Sequence, residues 1–149
     1  MDIKFSSNIK VIRQKMKVTQ TQLAEDIGLS NGIISLWESG LRTPSADAII
    51  KLSRYFQLST DYILKVTDDD SMLQRVDDFV VDMTVFNSRL KELRAAKSLS
   101  QEQLANRTGL TKTSINHWEN GKCLPNANAI IILAYFFGVT TDYLLGESD

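Results

Sequence analysis

Residues 19–40 read TQTQLAEDIGLSNGIISLWESG, and residues 100–121 read SQEQLANRTGLTKTSINHWENG. Each stretch opens with Thr or Ser and has Gln three residues on, the capping-box pattern that starts a helix. Leu-Ala follows, then Gly28 or Gly109, where the backbone can turn left-handed without a Cβ clash. Ser30 and Thr111 suit the N-cap of a next helix, which should stop at Gly40 and Gly121. Two short helices joined by about three residues around a glycine make a helix-turn-helix.

Working outward, a shift of 81 residues aligns Phe5–Leu64 with Phe86–Leu145 without a gap, and 25 of the 60 positions are identical. A match of that length marks a duplication, with each copy a compact unit of about 60 residues. The apolar spacing is helical throughout, and strand-type alternation is missing. A first helix is expected near Ser7–Lys17, with Ile9, Ile12 and Met16 as its apolar stripe, and a second near Gln20–Ile27. Pro44-Ser45 and Pro125-Asn126 announce a fourth helix rich in Ile and Leu. A last short helix should begin near Ser59 and Thr140 and carry Tyr62 and Tyr143. Leu23, Ala24, Ile34, Leu52 and Phe56, with their counterparts, should fill the core. Trp37 and Trp118 fit core anchors better than base-stacking groups.

Between the copies, residues 67–70 form an acidic break. Ser71 and Gln74 then offer another capping box, and Met72, Leu73, Val76, Phe79, Val80 and Met83 follow at helical spacing. An amphipathic linker helix is expected there, its apolar face packed against a repeat or against a second chain. The chain thus divides into copy one at 1–66, an acidic linker at 67–86 and copy two at 87–149.

The net charge of −1 hides an uneven distribution. Residues 1–66 carry +3, residues 67–86 carry −5 and residues 87–149 carry +1. The acidity is local, so the two repeats are judged apart from it. No apolar run approaches the roughly 18 residues that a membrane span needs, and the N-terminus lacks the apolar stretch of a secretory signal. A cytoplasmic location is the default expectation, with no membrane partner. Cys123 is the only cysteine and His117 the only histidine, which leaves disulfides, metal clusters and histidine-based catalysis poorly supplied. Cys123 is read as an inert thiol. No nucleophile arrangement, phosphate loop or metal-ligand spacing points to an enzyme, and no cofactor or small-molecule ligand is expected.

The combination of Gln20/Gln101, Leu-Ala, Gly28/Gly109, Trp-Glu-x-Gly and Pro44/Pro125 at fixed spacings resembles the phage-repressor and Cro-like family, also called XRE. The resemblance spans each repeat whole. It implies an all-α fold of two tandem five-helix, lambda-repressor-like helix-turn-helix domains. It also implies a sequence-specific regulator of transcription whose partner is double-stranded DNA, with a repressor the leading expectation and an activator the alternative. Ion pairs Arg13–Glu38 and Arg94–Glu119, and a DNA contact by the glutamine that opens helix two, come with the same resemblance.

In a helix-turn-helix the second helix enters the major groove, and its early side chains meet base edges. In copy two these are Lys112, Thr113, Ser114, Asn116 and His117. Lys112 can donate to guanine or phosphate, and Asn116 can pair bidentately with adenine. In copy one the matching residues are Asn31, Gly32, Ile33, Ser35 and Leu36. Gly32 weakens a helix, and Ile33 and Leu36 offer only apolar atoms, so this helix either meets thymine methyls or serves packing or protein contact. Leu36 departs from the polar residue common there in the family. Gln20 and Gln101 begin helices whose exposed amides suit a phosphate. Arg42 and Lys122 follow the third helices and fit phosphate contacts or solvated loop charges. A protein-interaction regulator of antitoxin or antirepressor type is the competing expectation. Two assemblies also stay open: a covalent pseudo-dimer, and a homodimer through the linker helix.

Overall fold

Several helix boundaries fall where a capping side chain or a left-handed turn interrupts an apolar 3.6-residue period. A computed structural model of the chain describes residues 8–75 and 78–149. Copy one forms α1 (Ile9–Lys15), α2 (Gln20–Ile27), α3 (Asn31–Ser39), α4 (Ala46–Phe56) and α5 (Thr60–Ile63). Copy two repeats them as α6 (Thr84–Ala96), α7 (Gln101–Thr108), α8 (Lys112–Glu119), α9 (Ala127–Phe137) and α10 (Thr141–Leu144). The described residues are therefore all-α, with two tandem five-helix units. Phe5, Ser7 and Val76, named above, lie outside the described residues.

The capping expectations hold unevenly. Ser100 accepts a hydrogen bond from the Gln103 N–H, and the Gln103 side-chain oxygen accepts one from the Ser100 N–H, a complete box. Thr19 accepts from the Gln22 N–H, but the Gln22 amide reaches forward to Asp26 instead, at 3.0 Å. That competing carboxylate leaves the first box half made. Ser30 occupies the N-cap of α3 without a side-chain bond, whereas Thr111 caps α8 through the Ser114 N–H. Met16, expected in the apolar stripe, is exposed because α1 ends at Lys15 and the chain turns away.

One continuous apolar cluster joins both copies. Leu23, Ala24, Ile34, Leu52, Phe56 and their counterparts Leu104, Ala105, Ile115, Leu133 and Phe137 are all buried, as are Trp37 and Trp118. Polar bonds repeat across the copies even where the residue type differs. The Asn8 amide donates to the Tyr62 carbonyl at 3.1 Å, and Arg89, 81 positions on, donates to the Tyr143 carbonyl. Each ties the first helix of its unit to the last.

The two units meet through paired contacts. The Ala46 N–H donates to the Pro125 carbonyl and the Ala127 N–H to the Pro44 carbonyl, both at 3.0 Å. The Thr60 N–H donates to Asp142 at 3.0 Å and the Thr141 N–H to Asp61 at 2.9 Å, with the two threonine hydroxyls 2.9 Å apart. Thr60 and Thr141 are fully buried. The carboxylates cap the start of the partner unit's short helix, where free N–H groups favour negative charge.

The linker departs from expectation. Its described residues from 67 to 82 form no helix. Tertiary hydrogen bonds capture its backbone instead: the Leu73 N–H donates to the Gln57 carbonyl at 2.7 Å, and the Gln57 side chain accepts from the Arg75 N–H at 2.5 Å. Arg54 donates to the Asp78 and Val80 carbonyls. A helix would need those same groups for its own ladder. Phe79 rests near Tyr55, with ring centroids 6.3 Å apart, and Met83 is buried, while Met72, Leu73 and Val80 stay exposed. The described linker residues thus lie on the chain's own surface as an irregular strap, and no amphipathic linker helix forms to meet a second chain. Gln57 sits at φ 59°, where copy two has Gly138 at φ 67°. The left-handed conformation costs a non-glycine residue about 1 kcal/mol, and here that residue supplies both halves of the strap's grip.

Burial holds the Asp61 carboxyl above its ordinary range, and nearby Asp142 pushes the same way against bonds from Thr141 that pull it down. The folded chain then keeps a proton that the unfolded chain releases, so this contribution is full below the ordinary carboxylate value and fades as pH rises through the raised one. Asp61→Asn keeps an acceptor for Thr141 and removes the charge. Its melting temperature is expected to exceed the wild type's at pH 7, with the gap closing as pH falls; a gap independent of pH contradicts this account.

Candidate nucleic-acid interface

The helix-turn-helix geometry comes from two left-handed glycines. Gly28 (φ 74°) ends α2 and Gly109 (φ 76°) ends α7, and three residues later the next helix begins. Leu29 and Leu110 in these turns pack on the core and set the angle of departure. Ile34 and Trp37 bury one side of α3, and Ile115 and Trp118 bury one side of α8. With an apolar stripe anchored, the opposite side of each helix must face solvent.

On α8, Lys112 and Thr113 are exposed, and Ser114, Asn116 and His117 are half-buried. Ser114 is held by Thr111, whose hydroxyl donates to it at 2.8 Å. Asn116 donates to the Gln101 side-chain oxygen at 3.2 Å, and the Gln101 amide lies 3.4 Å from Glu119. Glu119 takes a bidentate pair from Arg94, at 2.7 and 2.9 Å. The Arg94 guanidinium also caps the Leu99 carbonyl at 2.8 Å. One polar chain therefore runs from α6 through α7 to the face of α8. The Arg94–Glu119 pair was anticipated from the family resemblance; the Asn116–Gln101 bond was not, since residues 15 apart on separate helices share no local period.

Copy one has the same frame and a different face. Arg13 grips Glu38 at 2.9 Å through both nitrogens and caps the Val18 carbonyl at 2.9 Å. Hydrogen bonding to the glutamate raises the pKa of Arg13, and likewise of Arg94 beside Glu119. Asn31, Gly32 and Ser35 are exposed, while Ile33 and Leu36 are half-buried and Ile33 packs against the core. A Cβ at Gly32 would meet nothing within 4 Å, so packing does not require that glycine. Gln20, like Gln101, is half-buried at the start of its helix, and Arg42 and Lys122 are exposed in the loops that follow α3 and α8. Arg42 edges a groove with Leu29, Ile33 and Asp47. Among the described residues no group of three or more His, Cys, Asp or Glu could hold a metal ion, and no helix is long and apolar enough to cross a membrane.

The family profile described as "Helix-turn-helix" matches residues 9–63, and one described as "Helix-turn-helix domain" matches residues 87–147. The HTH-type transcriptional regulator ImmR of Bacillus subtilis (strain 168) is 31% identical over 91 residues, covering 61% of this chain and 68% of that protein. The chain belongs to the XRE-type helix-turn-helix family. Other XRE relatives match more locally. The HTH-type transcriptional activator BcrR of Enterococcus faecalis is 45% identical over 64 residues, 43% of this chain and 31% of that one. Repressor protein C2 of Salmonella phage P22 is 39% identical over 57 residues, 38% of this chain and 26% of that one. The chain spans less than two thirds of the length of BcrR and of two further Bacillus subtilis regulators, YobD and YqaE. No solved structure matches the chain.

The XRE ion pairs make a direct stability prediction. The Glu119 side chain is 3% exposed and Arg94 16%. Removing one partner alone strands the other, at a cost of about 3 kcal/mol. Glu119→Ala should show that loss in urea unfolding, and Arg94→Met with Glu119→Leu should lose less than the single variant. A double variant weaker than the single one contradicts the stranded-charge account.

Proposed function

We propose that this chain is a sequence-specific, non-enzymatic regulator of transcription that binds double-stranded DNA, acts as a repressor and works in the cytoplasm. The observation that carries the reading is the presentation of α8. Its apolar side is anchored, its first turn is exposed, and its far end is locked by Arg94–Glu119. The names of the relatives, regulators, an activator and a repressor among them, favour DNA over a protein partner. In this proposal the units extend over 1–66 and 87–149, with 67–86 between them. A homodimer through a linker helix has no part in it, because the described linker residues form no such helix.

Lys112 and Asn116 carry base readout, with Thr113, Ser114 and His117 beside them. A carboxamide has two N–H donors and an acceptor oxygen. One donor of Asn116 goes to Gln101, which leaves it one donor for the N7 of adenine and an acceptor oxygen for the N6 amino group. Gln20 and Gln101 meet phosphates at their helix starts, and Arg42 and Lys122 meet phosphates from the loops. Asn31, Gly32 and Ser35 form the corresponding face of copy one. The acidic strap is fastened at Gln57, beyond the C-terminal end of α4, whereas the loop from α3 enters at its other end. Eleven helical residues separate those ends, roughly 16 Å, which keeps the negative charge off the phosphate contacts.

Selection from a random duplex pool, followed by a salt titration, tests this function. A defined site and affinity that falls steeply with salt are expected. Asn116→Ala should relax preference at one base pair by about 1–3 kcal/mol. Gln101→Ala should weaken every sequence and also release Asn116, so the double variant should lose less than the two singles summed. Strictly additive losses would contradict the coupling.

A further inference from the structure

We propose that one chain is a complete two-headed reader whose operator is an inverted pair of unlike half-sites. This rests on the DNA-binding function above and adds the geometry of the site. The decisive observation is that the contacts between the copies exchange under the 81-residue shift. Ala46 reaches Pro125 as Ala127 reaches Pro44, and Thr60 reaches Asp142 as Thr141 reaches Asp61. The Thr60 and Thr141 hydroxyls bond to each other. A surface in which i meets j and j meets i is isologous, and only a two-fold rotation makes one. A head-to-tail arrangement, which direct repeats in DNA would require, gives two different surfaces instead.

The rotation axis lies one loop away from each reading helix. Ser45 and Asn126 bridge across it, Ser45 six positions beyond the end of α3 and Asn126 seven positions beyond the end of α8. Fully extended loops and the bridge keep the two helix ends within roughly 50 Å, and successive major grooves on one side of DNA lie about 34 Å apart. The pairing is also fastened. Arg75 from the strap binds Asp142 at 2.7 Å, and Arg54 of copy one binds Glu147 of copy two at 2.9 Å. Duplex DNA has two-fold axes perpendicular to its length, so a two-fold pair of readers meets half-sites of opposite sense. The half-sites differ because the heads differ: Asn31, Gly32 and Ser35 stand where Lys112, Thr113 and Asn116 do.

The test uses the full chain and the duplex recovered by selection. The mass of the complex should correspond to one chain per operator. Turning one half-site into a direct repeat, or adding about 5 base pairs (half a turn) between the halves, should weaken binding on the order of 100-fold, the loss of linked engagement. Lys112→Ala should flatten preference in one half only, and Asn31→Ala in the other half only. Two chains per inverted site, indifference to spacing, or Lys112→Ala flattening both halves overturns the inference while leaving DNA binding intact. Failure to bind any duplex at low salt removes the DNA-binding function and this inference together.

Discussion

A guanidinium locked onto a carboxylate holds each reading helix in place. Arg13 and Arg94 leave the first helix of their units and close on Glu38 and Glu119 at the ends of α3 and α8. The glutamates are almost wholly buried, so the pair is bound by geometry as well as charge, and the same guanidinium satisfies the Val18 or Leu99 carbonyl where the chain turns. A buried tryptophan precedes each glutamate. The helix is therefore fixed by an apolar anchor and an ionic one at adjacent positions, and its remaining face is free to be chemically varied. Buried ion pairs are weak sources of net stability, but they select one orientation over others.

The second constraint lies between the copies. Asp61 and Asp142 each serve the N-terminal amides of the other copy's last helix, and both sit beside a buried threonine pair. Burying these carboxylates has a cost, visible in the raised Asp61 pKa, which desolvation drives first and the Asp142 charge adds to. Arg75 from the strap offsets it on one side only. The linker, acidic overall, thus contributes its one described cation where the interface is most negative.

Duplication kept the frame and released the surface. Asn8 and Arg89 differ but donate to the same repeat-related carbonyl. Gln57 and Gly138 share a left-handed backbone, and only Gln57 can grip the strap. Ser35 replaces Asn116, so the hydrogen-bonded route from Arg94 to the reading face of α8 has a chemically different end in α3. Two heads built on one plan can then recognise different DNA.

Much of this was legible in the chain alone. The helix-turn-helix units, their glycine turns, the buried tryptophans and the core positions follow from local caps and a 3.6-residue period, which depend on neighbours a few residues away. The ion pairs were reached only through family resemblance. The linker departs from its periodicity because an apolar period favours a helix only when nothing else claims its backbone, and Gln57 and Arg54 claim it here. The Asn116–Gln101 bond and the exchanged contacts of Thr60, Asp61, Thr141 and Asp142 join residues 15 and about 80 positions apart. Identity of those threonines and aspartates was visible in the repeat, but their meeting was not. Sequence determined the parts, because capping and periodicity act locally; the tertiary fold alone decided how the two parts face each other, because only packing brings distant carboxylates and amides into reach.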